Sequence, residues 1–453
     1  MAAPRRTLLA RHGDYRKLWT AATVSLFGTQ VSLVAIPFIA VILLKAPAFQ
    51  VALLGTVEFL PFLLFTLPAG AWVDRLPRRL ILVTGDFGRA IALLSIPIAW
   101  ELGGLTIWQL YLVGFINGTL TVFFDVADQS FLPEILEPGD LVEGNSQLQV
   151  SGSAAQILGQ PLGGGLVGLL GAPIAVLADA LSFVVSGGLI FWIRRREPKR
   201  APVETAAGGP GPIAGLRQEI GEGLHYVLGH PYLRYIAAST GLSNLFSNIA
   251  FATFAVFVYD TLGLSAPVVG LIGGLGSIGV LVGALVAGRI AARIGVGRTI
   301  LWSMILSGPA TLIAAFAQPG NAAAVLFASI FLGSFAGVIY NINQVSLRQA
   351  ITPERIQGRM NATMRFLVWG TIPVGQIVGG VLASIFSVRE AVFIGGVLGC
   401  FAFVPILFSS VRQLKVIPTP LSAKAGPEAA AAASPEGILD READSIGPGS
   451  ALD

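Results

Sequence analysis

The chain has 453 residues, of which 54% are hydrophobic and 12% charged; a soluble globular protein carries about 25% charged residues, so an ordinary soluble enzyme is excluded. The formal net charge is +4, but in so apolar a chain the basic residues read as topology signals, and no nucleic-acid partner is expected. One cysteine, Cys400, and three histidines, His12, His225 and His230, exclude an internal disulfide and a typical structural zinc site, so no metal and no bound cofactor is expected.

Residues 1–17 are basic and read as a cytoplasmic N-terminus. The stretch from Leu18 to Leu44 contains no charge, and about 20 such residues cross a bilayer. It is too long for a cleavable signal core and lacks a small-residue cleavage site, so it is expected to be retained. Further spans are expected at 48–72, 80–100, 107–125, 146–170 and 173–193. A cytoplasmic linker follows at 194–230, with an amphipathic helix around His225 and His230. Six more spans fall at 234–258, 266–288, 299–317, 321–341, 362–386 and 390–409. The tail, 411–453, mixes an alanine run with Pro, Gly, Ser and acidic residues and reads as disordered. The fold class is thus all-α membrane protein with twelve transmembrane helices. Of 29 Lys and Arg residues, only Lys45 and Arg389 fall opposite the N-terminus. That bias places both termini in the cytoplasm of a multi-pass protein of the cell inner (plasma) membrane.

The chain also repeats itself. Asn145 followed by Gly159-Gln160-Pro161-Leu162-Gly163-Gly164 in the fifth span matches Asn361 followed by Gly375-Gln376-Ile377-Val378-Gly379-Gly380 in the eleventh. Ala69-Gly70 with Arg75 recurs as Ala287-Gly288 with Arg293, and Gln129 with Pro138 as Gln344 with Pro353. Two pseudo-symmetric six-helix bundles follow, 18–193 and 231–410, which can rock about a shared cavity.

An ionisable group near a bilayer centre costs several kcal/mol unless it is paired, hydrated or protonated, so such groups are read as functional candidates. Glu58, between charge-free runs 46–57 and 59–73, is the first choice for a proton carrier or cation-binding anion. It could instead be a protonated acid bridging helices. Asp179 is a second candidate, with a structural hydrogen bond as the alternative. Asp86 and Arg89, one turn apart, can pair and are read as gating. Gln30, Asn117, Asn244 and Asn248 are uncharged candidates for substrate or proton coupling. The second half has no deep acid and is expected to supply an aromatic wall, Phe246, Phe251, Phe254, Phe257 and Trp369.

The segment Gly70-Ala-Trp-Val-Asp74-Arg75-Leu-Pro-Arg78-Arg79 resembles the signature loop between the second and third helices of the major facilitator superfamily, with Pro77 where a glycine is usual. The resemblance implies an inward gate built from Gly70, Asp74, Arg75, Arg78 and Arg79, with Asp86, Arg89 and Arg365 grouped with it. Its second copy has lost the aspartate. Asp179-Ala-Leu-Ser182-Phe183 and Gly221-Glu-Gly-Leu-His225 are similar to segments of the bacterial effector-exporter branch, which includes siderophore and macrolide exporters. The fifth span resembles the proline and glycine motif of drug/proton antiporters. That likeness implies a domain-interface hinge of Gly159, Gln160, Pro161, Gly163 and Gly164, answered by Gly375, Gln376, Gly379 and Gly380. The fourth span lacks the arginine many proton-coupled exporters carry. No Gly-Lys pair exists to cradle ATP phosphates.

The resemblance implies secondary active transport, outward and driven by the proton gradient, of a medium-sized amphipathic metabolite, siderophore or drug. The expected partners are the lipid bilayer, a small-molecule substrate and protons, with the chain acting as a monomer. No catalytic residue is expected. An importer, or a non-transporting membrane scaffold or sensor, stands as the alternative.

Overall fold

The computed structural model describes residues 8–73, 76–137, 139–194 and 212–416. Asp74 and Arg75 of the expected gate, the first seven residues, Pro138 and the tail from 417 lie outside the described residues. Every regular element among the described residues is helical. In hydrocarbon an α-helix satisfies its own backbone, which is why apolar runs of this length adopt it.

The long helices are α1 Gly13–Phe38, α2 Ala48–Val73, α3 Arg78–Glu101, α4 Ile107–Ile135, α5 Leu141–Leu170 and α6 Ala172–Phe191. After the linker come α7 Leu233–Phe251, α8 Ala266–Ile294, α9 Val296–Ala315 and α10 Ala322–Ile351. The eleventh, α11, is broken at Gly370 into Glu354–Trp369 and Thr371–Ile385, and α12 begins as Val388–Gly399. Gly171 and Gly295, at φ 85° and 90°, turn α5 into α6 and α8 into α9 within one residue.

Eleven of these helices, α7 counted through Thr261, are long and apolar enough to cross a membrane, against the twelve expected. The difference is α5. Its sequence, LVEGNSQLQVSGSAAQILGQPLGGGLVGLL, is diluted by Gln, Ser and Gly. It nevertheless packs between α1 of its own half and α8 of the other. Several helices exceed their expected lengths, α4 most of all, reaching Ile135, and α10 reaching Ile351. Phe131, Leu132 and Ile135 are buried at the α4 extension, so apolar burial continues past the charged residues that suggested an end.

Packing divides the helices into two groups. In the first, α1 lies on α5 and α6, α3 on α4 and α6, and α2 on α4; in the second, α8 and α9 lie on α10, and α7 and α9 on α12. The groups meet along α5 with α8 and along α2 with α11.

Three buried apolar clusters show how the halves are joined. One draws on both halves, from Val31, Leu93 and Val176 to Phe257, Ala314 and Leu326. It lies at the face away from the chain termini. At the termini face each half keeps its own cluster, around Tyr15 and Phe131 in the first and around Ile300 and Met360 in the second. The shared cluster is closed by two matching wide turns, Ile39–Leu43 after α1 and Phe257–Thr261 after α7. They pack on each other, with Phe38 edge-on to Tyr259 at 5.1 Å and the Tyr259 hydroxyl donating to Val34 O at 3.5 Å.

The linker contains a helix, Pro212–Gly229, packed on the first part of α11. Val227 is fully buried, the Tyr226 hydroxyl donates to Ile351 O at 3.2 Å, and Glu222 pairs with Arg359.

Candidate functional site

The sector between α2, α4 and α11 is set by which α2 residues touch which neighbour. Leu64, 50% exposed, marks the outer face of α2. A methyl group at Gly118 of α4 would run into the Glu58 carbonyl and Pro61, and one at Gly114 would touch Leu54, so Leu54 and Pro61 face α4. Gly55 and Phe62 face α11, through Gln376 and Trp369. At 100° per residue Glu58 falls between the two directions and away from Leu64, on the inner sector that the halves share. It is half-buried and makes no hydrogen bond or ion pair among the described residues. Gly118 is required here because the Glu58 carbonyl lies against it. Pro61 removes the N–H that the Val57 carbonyl would otherwise accept from, leaving a free polar group one turn away.

Asn117, beside Gly118, has a buried Oδ1 without a partner. Asn244 donates to Val368 O at 3.1 Å, the carbonyl released where α11 breaks. Asn248 donates to Asn244 O at 2.8 Å and accepts from Gln376 Nε2 at 3.4 Å. Gln30 accepts from Gln160 Nε2 at 3.3 Å. Asp179 lies elsewhere, 1% exposed inside the first half. It accepts from Ser32 Oγ at 2.5 Å and from Ser182 Oγ at 3.2 Å, tying α6 to α1.

The hinge residues have paired duties. Gly159 and Gly163 receive Gln30 and Val31 of α1; Gly375 and Gly379 receive Leu245, Asn248 and Ile249 of α7. Those contacts stay within a half. Gly164 faces Ala266 and Pro267 of α8, and Gly380 faces Phe49 and Ala52 of α2, so these two lie between halves. Pro161 packs against Gly274. The Gln160 carbonyl meets Gly270 and its side chain meets Gly273, while the Gln376 amide meets Gly55.

Of the gating set, Arg78 bonds Glu134 Oε1 at 2.6 Å and the Ser130 carbonyl, joining α3 to the end of α4. Arg79 donates to the Phe191 carbonyl of α6 and lies over its ring at 5.3 Å. Arg89 donates to Asp86 Oδ1 at 2.5 Å, sandwiched between Phe124 and Phe183 at 4.3 and 4.2 Å. Arg365 lies over Trp369 at 5.0 Å. Gly70 is helical in α2.

The aromatic wall expected of the second half is not gathered in one place. Phe257 is wholly buried under Arg389, and Phe251 and Phe254 stack on each other at 6.4 Å, Phe251 being exposed. Trp369 meets Phe62 of the first half at 5.5 Å, and Phe62 meets Phe59 at 5.8 Å. The aromatic lining therefore crosses between halves. Sequence reasoning also passed over Asp125 and Asp128 on α4, because the helix was ended at the first of them. Their spacing of three, repeated by Asp86 and Arg89 on α3, was the available signal.

Comparison with known proteins agrees with this architecture. The profile of the family described as transmembrane secretion effector matches residues 8–433. The multidrug efflux pump Tap of Mycolicibacterium fortuitum is 27% identical over 385 residues, covering 83% of this chain and 90% of that protein. Tap of Mycobacterium tuberculosis is 25% identical over 411 residues, covering 88% and 94%. Among solved structures, an inward-facing bacterial homologue of the iron transporter ferroportin superposes with TM-score 0.69 at 20% identity, covering 89% of this chain and 99% of that one. The nucleoside transporter NupG gives 0.68 at 14%, covering 87% and 99%. At these identities the likeness is one of fold.

Proposed function

Since the chain belongs to the transmembrane secretion effector family and is a membrane transporter of the major facilitator type, we propose that it is a proton-coupled exporter of amphipathic, cation-bearing small molecules working by alternating access. The observation that carries the reading is the unequal joining of the halves: one shared core away from the termini, two separate cores at the termini. Such an arrangement is one end of a rocking cycle, with the inner sector reached from the termini face. The Lys and Arg bias makes that face cytoplasmic, so this state loads from the cell interior.

Glu58 supplies the inner sector with a carboxylate that pairs with no cation among the described residues. A cationic cargo and a proton compete for it, which is the minimal requirement of an antiporter. Phe59, Phe62 and Trp369 beside it give flat apolar contact for the rest of the cargo. The Tap relatives, named for multidrug efflux, support an outward direction.

The test is accumulation of ethidium, with a panel of antibiotics and siderophores, in a pump-deficient bacterial host, for wild type and Glu58→Gln, with and without a protonophore. Lower accumulation that both the protonophore and Glu58→Gln abolish at equal expression is the expected result. Raised accumulation indicates an importer, and no change with any compound overturns export of amphipathic cations as the activity.

A further inference from the structure

Three arginines of the bundles are answered by carboxylates: Arg78 by Glu134, Arg89 by Asp86 and Arg359 by Glu222. Two in the second half are not. Arg348, one turn before the end of α10, has a buried Nε without a partner, and its Nη2 reaches only Asn361 Oδ1, at 3.5 Å. Arg365 makes no hydrogen bond or ion pair among the described residues; its guanidinium lies over the Trp369 ring at 5.0 Å. An arginine packed in a bundle without an anion leaves strong donors unsatisfied, in a fork shaped for a carboxylate or phosphate.

Asn361, Arg365 and Trp369 recur every fourth residue and so form one stripe on α11. The helix buries Met360 and Met364, 0% and 1% exposed, and its outer face is marked by Phe366, 44% exposed. The stripe runs between those two faces. At its lower end Asn361 touches Arg348 of α10; at its upper end Trp369 meets Phe62 of α2 at 5.5 Å. Phe62 is one turn from Glu58. A single path therefore descends toward the termini face: a carboxylate, two aromatic rings, then two guanidinium groups.

Packing does not ask for this stripe. At the displacement of 216 that relates Asn361 to Asn145, Arg365 and Trp369 become Gln149 and Ser153, so the repeat that builds both halves keeps only the asparagine. Nor is it a plain topology signal. A basic residue that only sets orientation extends its head to the membrane surface, whereas Arg348 has its Nε closed off from solvent and Arg365 is half-buried three turns inside α11.

We infer that Arg365 and Arg348, with Asn361 between them, form an anion seat for the cargo, so that the substrate is zwitterionic: a flat aromatic core whose cationic end meets Glu58 and whose carboxylate or phosphate end meets the two arginines. Trp369 orients the Arg365 fork by stacking on it, and Asn361 steadies that of Arg348. The inference rests on the exporter reading and adds to it a second charge with its position.

The probe is norfloxacin, flat and fluorescent, with a protonated amine at one end and an ionised acid at the other near neutral pH. It is set against its methyl ester, which keeps only the amine. Binding of each to the full chain in phosphatidylcholine nanodiscs is read by fluorescence anisotropy. The acid is expected to bind about tenfold tighter than the ester. Arg365→Gln and Arg348→Gln each lower that ratio to about twofold or less, while Arg365→Lys keeps part of it. Glu58→Gln weakens acid and ester together, leaving the ratio. The ester, measured on the same preparations, separates a lost seat from a misfolded protein; if Arg365→Gln loses the ester too, Arg348→Gln and Arg365→Lys decide. A wild-type protein that binds the two compounds alike, or arginine variants that keep the full ratio, overturns the inference. So does a ratio that vanishes when phosphatidylglycerol is added, since the seat then belongs to a lipid headgroup. Ethidium, which carries no acid, tests the reading beneath: ethidium bound without any preference for the acid defeats the anion seat alone, and no binding of ethidium or of either probe defeats both.

Discussion

The Gln376 amide of α11 rests against Gly55 of α2, a methyl group at Gly55 coming within 3.0 Å of Nε2 and 3.1 Å of Oε1. The same relation holds between Gln160 of α5 and Gly273 of α8, which is Gly55 displaced by 218. Each glutamine also bonds a polar residue of its own half, Asn248 for Gln376 and Gln30 for Gln160. The two seams along which the halves meet thus share one polar contact, made twice. An amide seated on bare backbone can slide, whereas interdigitated side chains would lock.

Filling these seats should slow transport in graded fashion. Gly55→Ala leaves the Gln376 amide room to shift by a few tenths of an ångström and should lower efflux several-fold with little loss of stability. Gly270→Ala drives a methyl into the Gln160 backbone carbonyl and should cost about 1–3 kcal/mol. Melting temperature and ethidium efflux, measured together, check the order; equal effects from both would mean the seams do not slide.

Glu58→Gln and Gly118→Ala should separate function from folding at one spot. The glutamate loses no partner when amidated, so the melting temperature should stay within about 2 °C while efflux falls about tenfold or more. Gly118→Ala meets the Glu58 carbonyl and the Pro61 ring and should destabilise by about 1–3 kcal/mol. A Glu58→Gln protein that melts much earlier than wild type would assign the carboxyl a structural bond.

The Asp86–Arg89 pair should show strong coupling. Arg89→Met leaves Asp86 buried and unpaired, at a cost of about 3–5 kcal/mol. Adding Asp86→Asn removes the stranded charge and should recover more than half of that loss, a non-additivity that a double-mutant cycle of thermal melts reads directly.

His230, where the linker helix meets α7, should make linker docking pH-sensitive. Its Nδ1 accepts from the Tyr232 N–H at 3.2 Å, with the rings of Tyr226 and Tyr232 on either side. Burial holds its pKa below the ordinary 6.5, so the folded state prefers the neutral ring. The stability it lends is full above that value and drains away as pH falls below it. Hydrogen exchange over residues 221–232 should quicken between about pH 7 and about pH 5.5, and His230→Gln should flatten the dependence.

Most of the architecture was legible because lipid leaves the backbone few options: long charge-free runs had to be helices, and the repeated Gly-Gln motifs marked the fifth and eleventh as partners. Even the paired duties of Gly164 and Gly380 were implicit in that repeat. Charge misled where it sat inside a helix. Asp125 looked like the end of a span, yet α4 runs on to Ile135 because Phe131 and Leu132 keep burying. Phenylalanine counts misled too, since composition cannot tell Phe257, beneath Arg389, from Phe62, facing Trp369. The Asp179–Ser32 bond required knowing that α1 and α6 touch, which no spacing within either helix reveals.

The low apolarity of α5 has a consequence for how the protein is made. A segment with Gln147, Gln149, Gln156 and Gln160 along its length gains less from entering hydrocarbon than its eleven companions do. Its tenure in the bilayer depends on α1, which shields Gly159 and Gly163, and on α8, synthesised more than a hundred residues later, which covers Gly164. During biogenesis α5 therefore waits for a partner not yet translated. Changes in α8 that leave the mature transporter competent can still fail at the translocon, by denying α5 the surface that holds it in place.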